Sequence, residues 1–291
     1  MNSNAPSLIQ TLALLLQEQQ PEGYARLDEG LKKLRQEFSL KTAFYLFAIC
    51  PRWFARQASI NRDAVSALDL FDATTAWQYP QFARLYILLE LESLLESQVF
   101  EDVLNQLFDT ADVNELMLLV QSLQFIPKSD RFVARAREAA RSNIVSVFCA
   151  LAHHSDFAYC YFDLSGWNQL ILKAAFLAVP IWNIFGLKER NNPELVTMLL
   201  NYVRERQAAN RVVPWDLWAC VGWLAQSEES LAKLEVQFAI LDKRSQGAIL
   251  LSLRENENAK AKDFSSKLAS IDSGFDLDQI TWPSLAELIE D

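Results

Sequence analysis

Residues 166–179 read Gly-Trp-Asn-Gln-Leu-Ile-Leu-Lys-Ala-Ala-Phe-Leu-Ala-Val, and this stretch decides the fold. At 100° per residue, its apolar side chains cover most of the circumference of an α-helix. The pattern therefore predicts a central helix that is buried on nearly every side. Pro180 follows directly and predicts the end of this helix or a kink in it, because proline lacks the amide hydrogen that a helix interior needs.

Helical periodicity extends from this stretch over most of the chain. Apolar residues recur at intervals of three and four, which is the spacing of one face of an α-helix. The periodic segments are residues 7–20, 22–36, 40–49, 63–71, 80–95, 99–108, 113–123, 130–153, 193–209, 215–225, 228–242, 245–256 and 259–270. Only 7 of the 291 residues are glycine, which disfavours the tight turns between strands. The sequence predicts an all-α fold without a sheet.

Helix-start signals and short connections suggest how these helices are arranged. Asp112 and Glu115 have the spacing of a capping box, and Asn192-Pro193 combines a capping side chain with a residue suited to the first helical turn. Short connections favour antiparallel neighbours. Because no fixed repeat period is present, we predict an irregular stack of antiparallel helix pairs that loosely resembles a HEAT array.

The chain shows no linker rich in proline, glycine or serine, so residues 1–291 are predicted to form a single domain. The C-terminal tail, residues 271–291, is polar and rich in turn-forming residues. We expect this tail to pack on the rest of the protein through Ile280, Trp282 and Leu285.

Composition excludes several classes of protein. The apolar fraction of 51%, with 18 Phe, 8 Trp and 7 Tyr, is too high for a disordered chain. A net charge of −10 argues against binding to nucleic-acid phosphates. No uncharged run reaches the roughly 18 apolar residues of a membrane span, and the first 20 residues lack the features of a signal peptide. The four cysteines form no CxxC pair, so we expect reduced thiols and a cytoplasmic protein.

Catalytic and metal-binding motifs are nearly missing. The sequence contains no glycine-rich nucleotide motif, no GxSxG and no HExxH. Asp69 and Asp72 form one acidic pair, without the second pair that Mg²⁺ on a diphosphate would need, and they are expected to be a solvated helix end. The only candidate metal ligands are Cys149, His153, His154 and Cys160. Their spacing matches no established zinc site, so we predict neither a metal nor a cofactor.

Lys173 and Arg206 are cations on otherwise apolar helix faces. An ammonium on such a helix must find an acid, reach solvent or line a wet cavity, and we predict that Lys173 pairs with Glu205 or Asp163. Arg206 lies on the apolar face of the helix over 193–209. It is either a side chain that reaches solvent at the negative end of its helix or a donor fork directed into a pocket.

A pocket between these helices would have aromatic walls. Trp167, Tyr202 and Trp218 are the candidate walls, and with Asn168 they complete the predicted ligand-binding set of Lys173, Glu205 and Arg206. Two cations in one pocket would favour a carboxylate, phenolate or phosphate group on an aromatic or prenylated ligand. The alternative interpretation is that these residues only lock adjacent helices together.

Several motifs in this region resemble the EboA family. They are Arg141-Ser-Asn143, Trp167-Asn-Gln-Leu-Ile-Leu-Lys173, Gly186-Leu-Lys-Glu-Arg190-Asn191-Asn192-Pro193, Tyr202-Val-Arg-Glu-Arg206 and Pro214-x3-Trp218. The close resemblance covers residues 131–224. A looser one extends back through 111–116, Arg84-Leu85 and Pro51-Arg52.

This resemblance implies an all-helical bacterial protein from a gene set that moves or matures a secondary metabolite, such as the scytonemin precursor of cyanobacteria. It implies prenyltransferase-like and TIM-barrel enzymes as partners, and it implies no reaction for this member. We therefore expect a non-catalytic protein that binds the metabolite or scaffolds its partner enzymes. The alternative is an enzyme that acts on the metabolite in a pocket around Lys173, Glu205 and Arg206.

Overall fold

The structure, a computed structural model, describes residues 7–55, 77–270 and 274–288. These residues form sixteen α-helices and three short 3₁₀ turns, with no strand among them. The predicted all-α fold is confirmed. Within the same ranges, no helix is both long enough and apolar enough to cross a bilayer. The chain divides into two compact units, and the boundary between them in the sequence falls between Tyr161 and Phe162. The single domain over residues 1–291 stays a prediction.

The first unit is built around one enclosed helix. Its helices are α1 (Leu8–Gln19), α2 (Pro21–Gln36), α3 (Leu40–Trp53), α4 (Tyr79–Leu94), α5 (Ser97–Thr110), α6 (Val113–Ser122), α7 (Val133–Arg141), α8 (Val145–Ala152) and α9 (Phe157–Tyr161). Helix α4 packs against α1 and α3, and it is buried along most of its length. Its run of large apolar side chains explains this position, since burial of apolar surface is the main driving force of folding.

A buried ion pair ties three helices of this unit together. The Arg84 guanidinium on α4 donates to a carboxylate oxygen of Glu115 on α6 at 2.7 Å and to the carbonyl oxygen of Phe47 on α3 at 2.9 Å. The other carboxylate oxygen of Glu115 accepts the backbone N–H of Asp112, which confirms the predicted capping box. Glu115 therefore both starts α6 and neutralises a buried arginine.

The second unit packs around one largely buried helix, α14 (Lys243–Arg254). Its helices are α10 (Leu164–Leu177), α11 (Pro193–Ala208), α12 (Trp218–Leu224), α13 (Glu228–Phe238), α14 (Lys243–Arg254), α15 (Ala259–Ala269) and α16 (Trp282–Glu287). Helix α14 packs against α12, α15 and α16. The approach of α12 to α14 is close, because a Cβ atom at Gly222 would lie 1.9 Å from the hydroxyl of Ser252.

The C-terminal segment packs on α14, as the sequence predicted. Ile280 and Leu285 join Leu251 in an apolar cluster that Trp282 borders. The Glu255 carboxylate accepts the indole N–H groups of Trp223 and Trp282, at 3.0 and 3.1 Å.

Two predicted helices differ from those observed. Residues 130–153 form the end of a 3₁₀ turn and two α-helices rather than one helix. The chain leaves the helical conformation at Ser142, whose hydroxyl accepts the backbone N–H of Ile144. Helix α10 is exposed on one side, with Phe176 69% accessible, so the prediction that it is buried on nearly every side is wrong. Apolar side chains are common on protein surfaces, and composition alone overstated its burial. The predicted helix over 63–71 lies outside the described residues, as does the acidic pair Asp69 and Asp72.

Candidate functional site

The family motifs of the second unit meet at one hydrogen-bonded node. Asn168, only 1% exposed, donates to the side-chain oxygen of Asn192 at 3.3 Å, and Asn192 donates back at 2.8 Å. The same oxygen of Asn192 accepts the backbone N–H of Leu195, which caps α11. Pro193 is the first residue of this helix, as predicted. The node therefore fixes the start of α11 against α10.

Arg190 and Asn191 extend this node to neighbouring elements. The Arg190 guanidinium lies 4.7 Å from the centre of the Trp167 indole ring and donates to the carbonyl oxygen of Phe162 at 2.8 Å. The Asn191 amide donates to the carbonyl oxygen of Cys220 on α12 at 2.7 Å. These motif residues join α10, α11 and α12 into a framework, and Asn191 also borders a hollow of about 330 Å³ with Lys188 and Glu189 of the same motif. Arg141 and Asn143 lie in the first unit, both exposed near the end of α7.

Arg206 and Tyr202 support the chain that follows α11. Two nitrogens of the Arg206 guanidinium donate to the carbonyl oxygen of Val212, at 2.8 and 2.6 Å, and the guanidinium lies over the Tyr202 ring. The Tyr202 hydroxyl donates to the carbonyl oxygen of Ala175 on α10 at 3.3 Å. Arg206 thus closes the turn after its own helix, and its role in ligand binding stays a prediction.

The remaining predicted site residues differ from one another in burial and in their contacts. Lys173 is half-buried, and burial lowers the pKa of its ammonium. Glu205 is exposed, while Asp163 caps α10 by accepting the backbone N–H of Gly166 at 2.7 Å. The pairing of Lys173 with Glu205 or Asp163 stays a prediction. Trp218 is fully buried and borders a small apolar groove of about 160 Å³ between α11, α12 and α13.

The candidate metal ligands of the sequence lie in the first unit. Cys149 is half-buried, and burial raises the pKa of its thiol, while Cys160 is exposed. The rings of His153 and His154 meet edge to face, 6.3 Å apart. Among the described residues, no group of three His, Cys, Asp or Glu side chains could hold a metal ion.

A cleft of about 350 Å³ in the second unit combines aromatic and ionisable side chains. Its walls come from residues 178–182, from residues 212–216, from the start of α14 and from Ala286 near the end of α16. The aromatic and ionisable side chains that line it are Trp182, Trp215, Asp216, Asp242 and Arg244. Its volume falls within the usual range for small-molecule sites, where apolar walls carry a few polar groups.

The backbone at one edge of this cleft is strained. Ala178 ends α10 in the left-handed conformation, with φ 54° and ψ 35°, and the backbone N–H of Val179 donates back to Ala174. Pro180 follows two residues later, so the predicted helix stop at this proline is confirmed. A left-handed alanine costs roughly 1–2 kcal/mol, and such conformations are concentrated at functional sites.

Asp216 supplies a buried carboxylate to the cleft. Its side chain is 3% exposed, and one oxygen accepts the backbone N–H groups of Ile181 and Trp182, at 2.6 and 3.4 Å. Burial raises the pKa of Asp216 to about 6, although the backbone N–H groups of Ile181, Trp182 and Asp216 itself favour the charged form. A carboxyl group with this pKa in a cleft is typical of functional sites.

The two other charged groups of the cleft are held by the ends of helices. The Asp242 carboxylate caps α14 by accepting the backbone N–H and the hydroxyl of Ser245, at 2.8 and 2.9 Å. The Arg244 guanidinium donates to the carbonyl oxygen of Leu288 in the C-terminal segment. Its Nε atom and the indole nitrogen of Trp182 are buried without a hydrogen-bond partner among the described residues.

Reasoning from the sequence missed most of this cleft. It singled out Arg206 and Tyr202, which support the Val212 carbonyl and the last turn of α10, but not the residues that line the cavity. The available signal was Asp216 itself, an acid within the apolar string Pro-Trp-Asp-Leu-Trp over residues 214–218. An acidic residue among large apolar neighbours is drawn into the interior with them unless its side chain faces solvent.

Comparison with known proteins gives one match. A family model described as "Metabolite traffic protein EboA" matches residues 8–222, which is more than half of the chain and extends well before the 131–224 region of close resemblance. Searches of curated proteins and of solved structures found no match. The match covers the residues of the cleft from Ala178 to Asp216, whereas Asp242 and Arg244 lie beyond it.

Proposed function

The chain belongs to the EboA family, and on that premise we propose that the protein binds a small aromatic metabolite in this cleft without altering it chemically. The observation that carries the proposal is the pairing of the Trp182 and Trp215 indoles with the buried carboxyl of Asp216 in one cavity. The indoles offer flat apolar surface for an aromatic ring, and the carboxyl fixes the orientation of a polar group.

The family description supports a role in moving a metabolite rather than making one. In our proposal the protein holds the intermediate of a bacterial secondary-metabolite pathway, such as that of scytonemin, in the cytoplasm. It passes this intermediate to pathway enzymes of the prenyltransferase-like and TIM-barrel kinds. The resemblance of the chain to the family supports this setting.

Retention of the natural ligand tests the proposal. The protein is purified gently from cells that naturally contain it, and the bound small molecules are released with solvent and identified by mass spectrometry. We expect the wild type to retain an aromatic compound and Trp182→Ala to lose most of it. Trp53→Ala is the matched control, because Trp53 is a partly exposed tryptophan that lines a hollow in the first unit. Equal retention by both folded variants would refute the proposed site.

A further inference from the structure

Asp216 carries a buried negative charge that no cation of the described chain neutralises. One of its oxygens accepts the backbone N–H groups of Ile181 and Trp182, and the backbone N–H of Asp216 itself also favours the charged form. The side chain forms no ion pair within the described residues. Moving a carboxylate out of water is costly unless an opposite charge or several donors compensate it. The raised pKa of this carboxyl has the same origin, since desolvation outweighs the hydrogen bonds from the backbone N–H groups.

The other charged side chains of the cleft do not fill this role. The Arg244 guanidinium is turned to the carbonyl oxygen of Leu288 and forms no ion pair with either aspartate in the described chain. Asp242 is already stabilised by the N-terminus of α14 and by Ser245. The lining therefore holds two carboxylates against one guanidinium, and the uncompensated charge is that of Asp216.

The apolar walls of the cleft also favour a positive charge. Trp215 precedes Asp216 in the sequence, and the backbone N–H of Trp182 donates to the Asp216 carboxyl. The face of an indole ring attracts a cation more strongly than the face of any other aromatic side chain. The net charge of −10 adds an attractive long-range field for cations.

We propose that the aromatic ligand of this cleft carries a protonated amine, which binds the carboxylate of Asp216 beside the two indoles. This inference rests on the proposed function, because it specifies the ligand of the same cleft. It reverses the ligand charge that Lys173 and Arg206 suggested, because the cleft is lined by neither of those side chains. The ammonium donates hydrogen bonds to Asp216 and supplies the missing positive charge.

Three phenyl compounds of similar size test the ligand charge on the wild-type protein. They are 2-phenylethylamine, a cation at about pH 7.5, the neutral 2-phenylethanol, and the anion 3-phenylpropionate. Titration calorimetry gives the dissociation constant of each. We expect the amine to bind at least about tenfold more tightly than the alcohol, because hydrogen bonds between charged groups are the strong ones. The propionate should bind most weakly.

Two asparagine variants then locate the charge that recognises the amine. Asp216→Asn keeps an oxygen for the N–H groups of Ile181 and Trp182 but removes the charge, and it should reduce the amine preference to about twofold or less. Asp242→Asn is the matched control. It removes a carboxylate from the same cleft, asparagine caps helices as well as aspartate, and the amine preference should persist.

The outcomes separate this inference from the proposed function. Equal binding of amine and alcohol by the wild type would overturn the amine inference and leave the aromatic site standing. Failure of all three compounds to bind would overturn both. A folded Asp216→Asn protein that still prefers the amine would also overturn the inference. If that variant fails to fold, the ratio measured on the wild type decides.

Discussion

At the scale of single residues, the environment of Asp216 gives this carboxyl group an unusual chemistry. Burial raises its pKa to about 6, well above the value of an aspartate in an unfolded chain. The folded protein therefore binds this proton more tightly than the unfolded chain does. Stability from this group is fully present below about pH 4 and is lost as the pH rises towards 6.

We predict that Asp216→Asn gains stability relative to the wild type as the pH is raised. The wild type must ionise a buried carboxyl between about pH 4 and 6, and the variant has no such group. The difference in unfolding free energy should shift in favour of the variant by up to roughly 3 kcal/mol over this range. Urea unfolding of both proteins at several pH values measures the shift. The contributions of all other carboxylates to the pH dependence are the same in both proteins and cancel in the difference. A difference that does not change with pH would contradict the assignment.

At the scale of helices, Asn192 has two roles that the sequence shows only in part. Asparagine before proline predicted the cap of α11, and the cap is present. The second role, the reciprocal hydrogen bonds with buried Asn168, links residues 24 positions apart and leaves no local signature. The family motifs on α10 and before α11 are thereby connected through one pair of amides.

We predict that Asn192→Ala destabilises the protein by roughly 2–4 kcal/mol. The substitution removes a helix cap, which contributes about 1 kcal/mol, and leaves the buried amide of Asn168 without its partner. Asn258→Ala is the control, because Asn258 caps α15 without a buried partner and should cost about 1 kcal/mol. Chemical unfolding gives both values. Equal losses would mean that the Asn168 pair contributes little.

The helices themselves were largely predictable, because apolar periodicity reports the face that each helix buries. The cleft was not, and the reason is physical. Trp182 lies in the connection between α10 and α11, where no periodicity marks a residue as unusual. Asp216 lies in the 3₁₀ turn Trp215–Leu217, at the start of the predicted helix over 215–225, and helical periodicity does not show that its carboxyl group faces a cavity. Lys173 and Arg206 attracted attention because they interrupt a periodic face, yet Arg206 serves the turn at Val212. The break at Ser142 was also missed, since the apolar periodicity continues on both sides of it.

At the scale of the whole molecule, the cleft belongs to the second unit, and its lining comes from segments far apart in the sequence. The C-terminal segment contributes to it through Ala286 and through the carbonyl of Leu288, which holds Arg244. Trp215 serves two purposes, because it lines the cleft and stacks near Trp282, with ring centres 6.4 Å apart. The residues beyond the family match therefore complete a site whose main walls lie within it.

The central claim is that an aromatic metabolite binds in the cleft of the second unit, and indole NMR tests it most directly. The indole N–H resonances of ¹⁵N-labelled protein, assigned by single Trp→Phe variants, are followed as a small-molecule extract of the source cells is added. We predict that the signals of Trp182 and Trp215 shift in a saturable manner. The signals of Trp53 and Trp77, in the first unit, should stay in place. Shifts confined to Trp53 and Trp77, or no shift at all, would contradict the claim.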